Sequence, residues 1–115
     1  MSDTTALVDA QTFLKPIDGE SPVGQDPEMN PDYINLDAEM AKMSGLDYEM
    51  IAEVAQRILT TESKHLRVAT WLTLAWTKLH GVSGLRNGLE IIAGLLDEFA
   101  PDLFPEKIKI QSMAL

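Results

Sequence analysis

Cysteine is absent from this 115-residue chain, so it has no disulfide framework and no thiolate chemistry, a composition that fits a reducing compartment. Basic residues are scarce: nine Lys and Arg against eighteen Asp and Glu leave a net charge of −9. A chain this acidic repels phosphate backbones and anionic headgroups, which disfavours nucleic-acid and membrane-surface roles. Its partners are then proteins or small molecules. The N-terminal MSDTTALVDAQTFLKP lacks a basic region followed by a long apolar one, so it is no secretory signal. No segment alternates apolar and polar residues over strand length, which leaves helices as the regular structure.

Aromatic residues are also few, and both tryptophans lie in the stretch around which the chain is organised, Ser63–Gly81. From Leu66 to Leu79 its apolar residues cover most of a helix circumference instead of forming one stripe. Such a helix has to be surrounded by other elements. Lys64, Arg67 and Lys78 bracket a run far shorter than the ~20 apolar residues a bilayer needs. The reading is therefore a buried central helix over about 64–80, with Ser63 as N-cap and Gly81 as the stop.

In chain order, residues 4–14 can form a short helix capped by Thr4 or Thr5, with Pro16 ending it. Pro16–Pro31 holds four of the six prolines and reads as an ordered, extended loop pinned by Ile17 and Val23. A helix is expected from Asp32 to about Ser44, stopped by Gly45. Asp47 then caps a helix to Thr61 with the stripe Ile51, Val54, Ala55, Ile58 and Leu59. After the central helix, Ser83 caps Gly84–Phe99, whose stripe is Leu85, Leu89, Ile92, Leu96 and Phe99, flanked by Ile91 and Leu95. Asp102–Pro105 makes a turn, and Glu106–Leu115 begins a further helix. The fold expected is an all-α compact bundle of four or five helices around the central one, with a Pro/Gly-rich ordered loop near the N-terminus. Residues 1–115 form a single domain.

Catalytic signals are thin. His65 and His80 sit ~22 Å apart at opposite ends of one helix and cannot share a metal or a proton. No metalloprotease, nucleophile-elbow or P-loop pattern occurs. Asp26, Glu28, Asn30, Asp32 and Asp37 are spaced like the oxygens of a calcium loop. Pro31, however, stands where that loop needs glycine, and Asp37 where it needs glutamate, so a solvated acidic loop is the simpler reading. Gly81, Gly84 and Gly88 could cradle an anion at a helix start, but their spacing fits a close helix crossing better. No catalytic, cofactor or metal residue is assigned. Lys64 and Arg67 lie where the helix dipole disfavours cations. The expectation is that Arg67 clamps the Pro-rich loop through Asp26, against the plainer alternative of a fluctuating surface pair.

PIDGESPVGQD from Pro16, SKHLRVATWL from Ser63, GVSGLRNGL from Gly81 and LLDEFAPDLFP from Leu95 together resemble the ImpA N-terminal domain of TssA-type proteins. These belong to the bacterial type VI secretion system. The likeness runs in order from about Pro16 to Pro105. It marks Pro16, Pro22, Gly24, Asp26, Lys64, Leu66, Arg67, Trp71, Trp76, Gly84, Leu85 and Gly88 as motif residues with an architectural role. The chain departs from the pattern at His65, where the family has an acidic residue, and at Phe99-Ala100, where it has an aromatic pair. Both departures bear on partner preference more than on the fold.

The resemblance implies a cytoplasmic, non-enzymatic assembly factor without cofactors. Its partners would be baseplate, sheath or tube components, with no nucleic acid and no membrane insertion. The family's longer members form homo-oligomers through C-terminal regions missing from this sequence, which therefore reads as an N-terminal fragment. Met40, Met43 and Tyr48 are candidate partner contacts, with ordinary core packing as the competing reading. The alternatives are a self-associating structural module, with dimerisation through an apolar helix face, and an enzyme whose acidic loop binds a metal.

Overall fold

The computed structural model describes residues 7–100 and 102–104. A 3₁₀ turn, Ala10–Leu14, precedes four α-helices: α1 Pro31–Met40, α2 Tyr48–Thr61, α3 Leu66–His80 and α4 Val82–Phe99. The fold is all-α, and among the described residues the only β-type pairing is two isolated bridges. None of the described helices is long and apolar enough to cross a membrane. Thr4, Thr5 and the helix expected over Glu106–Leu115 lie outside the described residues.

Each helix start has a local cause. The 3₁₀ turn is capped by Asp9, which accepts the Gln11 N–H at 2.9 Å. Asn30 accepts the Asp32 N–H at 2.8 Å and is followed by Pro31, whose fixed φ suits a first helical position, so α1 starts one residue earlier than expected. Asp47 caps α2 by accepting the Met50 N–H at 3.0 Å. The α3 start differs from expectation. Ser63 and Lys64 stay extended because their backbone is bonded to other segments, so the cap passes to His65, whose Nδ1 accepts the Val68 N–H at 3.4 Å. Gly81, at φ 67°, both ends α3 and precedes α4, and Ser83 falls inside the first turn instead of capping it. α1 stops at Met40 rather than Ser44, where Glu39 turns its carboxylate back to the Asp47 N–H at 2.7 Å.

α3 packs against both α2 and α4, α1 lies on α2, and the 3₁₀ turn sits against α4 and α2. The core gathers Ile51, Ala55, Ile58 and Leu59 of α2, Val68, Leu72 and Trp76 of α3, and Ile91 and Leu95 of α4. Phe13 meets Trp76 edge-on, ring centroids 6.0 Å apart. α3 is central but not enclosed: Arg67, Thr70, Leu74 and Lys78 form an open side. Thr70, Thr73 and Thr77 return their hydroxyls to carbonyls one turn back, which satisfies them within the helix.

The stripe expected on α4 is corrected. Gly84, Gly88, Ile91 and Leu95 are its buried residues, whereas Leu85, Leu89 and Leu96 are exposed. The cause is the α3–α4 crossing. A Cβ on Gly84 would collide with the Trp76 carbonyl, and one on Gly88 with the Thr73 side chain. Backbone meets side chain and backbone directly there, and the glycine face turns inward at the expense of the leucine face.

Replacing Gly84 by Ala tests this crossing. Ala should favour an isolated helix by about 1 kcal/mol, yet overpacking against a carbonyl should lower stability by about 2 kcal/mol net. Urea denaturation reads the difference, and a variant as stable as the parent would remove the argument.

Candidate functional site

The buried polar residues Ser63, Lys64 and His65 lie together at the corner where the chain enters α3. On one side, the Lys64 N–H donates to the Val23 carbonyl at 2.8 Å and the Gln25 N–H to the Glu62 carbonyl at 3.0 Å. These bonds dock the Pro-rich strap on the Ser63 backbone. Gly24 is required at that contact, having φ 77° and no room for a Cβ against the Glu62 carbonyl. On the other side, the Leu66 N–H donates to the Phe104 carbonyl at 2.7 Å and the Phe104 N–H to the Lys64 carbonyl at 3.0 Å. The strap is further anchored by buried Ile17, Val23 and Pro27, while Pro16 and Pro22 are exposed.

The Lys64 side chain turns inward and is fully buried. Its ammonium donates to the Phe13 carbonyl at 2.6 Å and the Leu59 carbonyl at 2.9 Å, and lies 5.6 Å from the Phe99 ring centroid. Burial pushes its pKa down to about 8. His65, also buried, lies against Tyr33, which in turn contacts half-buried Trp71 with centroids 5.8 Å apart. Burial first, and the Arg67 charge second, push the imidazole down to about 4, with Asp26 opposing them. The neutral ring fits its role, since a cap must accept a hydrogen bond.

The expected Arg67–Asp26 clamp is corrected. Arg67 Nη1 donates to the Tyr33 hydroxyl at 3.1 Å, and Asp26 accepts the Glu28 N–H at 3.1 Å. The ion pairs among the described residues are Lys42–Glu39, Arg57–Asp32 and Arg57–Glu53. Backbone pairing, which needs no side-chain charge, holds the strap. The oxygens spaced like a calcium loop are also engaged elsewhere. Asn30 caps α1 and donates to Glu62 at 3.0 Å, while Asp32 accepts from Nε and Nη2 of Arg57. Among the described residues no group of three or more His, Cys, Asp or Glu is placed to hold a metal ion.

Leu66 is half-buried beside this corner, and Trp76 is fully buried at the core centre. The candidate contact residues divide. Met40 and Tyr48 pack half-buried against the core, whereas Met43 is completely exposed at the α1–α2 connection. Glu39 braces that connection through Asp47 and through Lys42 at 2.9 Å; the Asp47 N–H, then Lys42, hold its carboxyl below the usual range. Sequence reasoning missed two features. The burial of Lys64 left no signal in composition. The exposed leucines of α4 did leave one, in a seven-residue repeat beginning at Val82.

The family model for ImpA, N-terminal, type VI secretion system matches residues 14–113. The chain belongs to this ImpA N-terminal family. A search of the curated proteins gave no match. Among solved structures, this ImpA N-terminal chain is similar to the N-terminal domain, including the conserved ImpA_N region, of the TssA component of the type VI secretion system from Burkholderia cenocepacia. The TM-score is 0.83 at 26% identity, covering 91% of this chain and 43% of that one. The ImpA N-terminal chain thus spans less than half the length of that solved relative.

Two substitutions probe the corner. Lys64→Met should strip donors from two buried carbonyls and cost about 2 kcal/mol or more, with hydrogen-exchange protection falling in the 3₁₀ turn and at the end of α2. Unchanged protection at both would overturn the tether. For His65 the folded pKa, about 4, lies below the ordinary value of 6.5. Its contribution is therefore whole above pH 6.5, falls as pH drops, and is gone near pH 4. His65→Asn keeps a cap without that titration, so the gap between the two stability curves should change by about 3 kcal/mol across the window. Parallel curves would rule out the buried neutral ring.

Proposed function

We propose that this chain is a non-enzymatic docking module that helps type VI secretion baseplate and tail sheath or tube assembly in the bacterial cytoplasm. The observation that carries this reading is the type VI secretion family match over residues 14–113. The use made of the buried polar groups supports it. Lys64, His65 and Glu39 are each occupied in holding backbone, through Phe13 and Leu59, Val68, and Asp47 respectively. The charge of −9 favours protein partners over nucleic acid.

Recognition falls to side chains outside that framework. Met43 projects from a short connection braced by Glu39 and Lys42, with half-buried Met40 and Tyr48 at its two ends. An unbranched thioether on a braced turn offers adaptable apolar contact without disturbing the core.

The test is a pull-down with this chain as bait against each purified baseplate, sheath and tube component. Capture of one component is expected, weakened about tenfold by Met43→Asp, the equivalent of about 1.4 kcal/mol. Capture of none, or capture indifferent to Met43, would overturn the proposed contact.

A further inference from the structure

The outer face of α4 carries Val82, Leu85, Leu89 and Leu96 on the alternating three- and four-residue steps of a coiled-coil seam, whose remaining positions, Ile92 and Phe99, turn partly into the core. Val82 is 73% exposed, Leu85 40%, Leu89 52% and Leu96 48%, while Ile92 and Phe99 are half-buried. Singly exposed leucines are ordinary on protein surfaces; a helix-length row of them in register is not. The row is separate from the face that packs on α3, which uses Gly84, Gly88, Ile91 and Leu95. Val82, Leu85, Leu89 and Ala93 line an open depression of about 430 Å³, with Arg86 and Glu90 on its edge.

The two edge charges select the occupant. Arg86 and Glu90 stand one turn apart on the same flank of the seam. When two helices pair antiparallel about a two-fold axis, each flank meets its own copy running in reverse. An axis passing level with Gly88 sets Arg86 of one copy against Glu90 of the other, twice, and brings Leu85 and Leu89 of both copies together. A parallel pair would bring this flank against the opposite one and lose both contacts. The seam therefore contains its own complement, in the isologous arrangement of a symmetric dimer.

We propose that the α4 seam pairs antiparallel with the α4 seam of a second copy of this chain. This goes beyond the docking reading and does not depend on it, because the Met43 turn and the seam are different surfaces. One helix face is a small interface, and each copy carries a charge of −9, so the dimer is weak and concentration-dependent.

Sedimentation equilibrium of the 115-residue chain, from about 10 μM to 1 mM in about 0.15 M salt, should show a monomer–dimer equilibrium. Leu89→Gln should weaken it at least tenfold while leaving the helical circular dichroism and urea midpoint close to the parent's. Arg86→Glu and Glu90→Arg should each weaken it, and the double exchange should restore it. A chain monomeric throughout the range overturns the proposal. So does a dimer indifferent to Leu89, or one in which the double exchange is no better than either single change. Capture of secretion components that depends on Met43 but not on Leu89 would leave the docking reading standing after the dimer had failed.

Discussion

The buried ammonium of Lys64 is the constraint on which the arrangement depends. An unpaired charge in an apolar interior is costly, and among the described residues no carboxylate is paired with this one. What compensates is need on the other side. The end of α2 leaves carbonyls without helical partners; the Glu62 and Ser63 N–H groups both go to Ile58, and the Leu59 carbonyl is left for Lys64. The 3₁₀ turn leaves the Phe13 carbonyl in the same position. A single long donor reaches both, against the face of Phe99. Because the Lys64 backbone is also bonded to Val23 and Phe104, this residue links the strap, the 3₁₀ turn, α2, α4 and the Phe104 segment. The depressed pKa follows from the same geometry. As its folded value, about 8, lies below the ordinary 10.5, the cost of burying the charge is full below pH 8 and declines as pH rises toward 10.5.

Much of the fold was legible because local chemistry and periodicity agree. Asp47, Gly81 and the Ile51–Leu59 stripe each specify their element without reference to distant residues. The misreadings occur where tertiary contact decides. Ser63 has the side chain of a cap, but its N–H goes to Ile58 and its neighbours Glu62 and Lys64 bond the strap on either side of Gly24, so the helix begins later. α4 is apolar on more than one face, and periodicity cannot say which face turns inward. The bulk of Leu85, Leu89 and Leu96 suggested burial. In the structure the absence of bulk at Gly84 and Gly88 decides, because it lets α3 and α4 approach backbone to side chain.

The candidate site was legible by position and not by interaction. Lys64, His65, Arg67, Gly24 and Trp71 do gather at one corner, yet the interaction expected there was an ion pair. Charge reasoning finds carboxylates for cations along the sequence. It has no means of finding a tyrosine hydroxyl brought across by α1, or carbonyls orphaned at the ends of helices. Tyr33 is the residue most easily overlooked, since it occupies an ordinary core position of α1 while also meeting His65, Arg67 and Trp71.

The separation between framework and surface has a functional consequence. The corner engages the strap, the 3₁₀ turn, α2, α3 and α4, so changes there propagate through the whole domain. Met43 and the exposed leucines of α4 lie outside the hydrogen bonds that hold the corner. A domain built this way can hold its shape through one small polar centre while its outer faces adjust to different neighbours. His65 belongs to the first class and not the second. Its imidazole caps α3 and lies tilted against Tyr33 inside the corner, so a change there is felt by the Val68 N–H before it is felt by any partner. A carboxylate can supply that acceptor, as Asp47 does for α2. Replacing His65 by an acid would thus exchange one capping chemistry for another and change how the corner responds to pH.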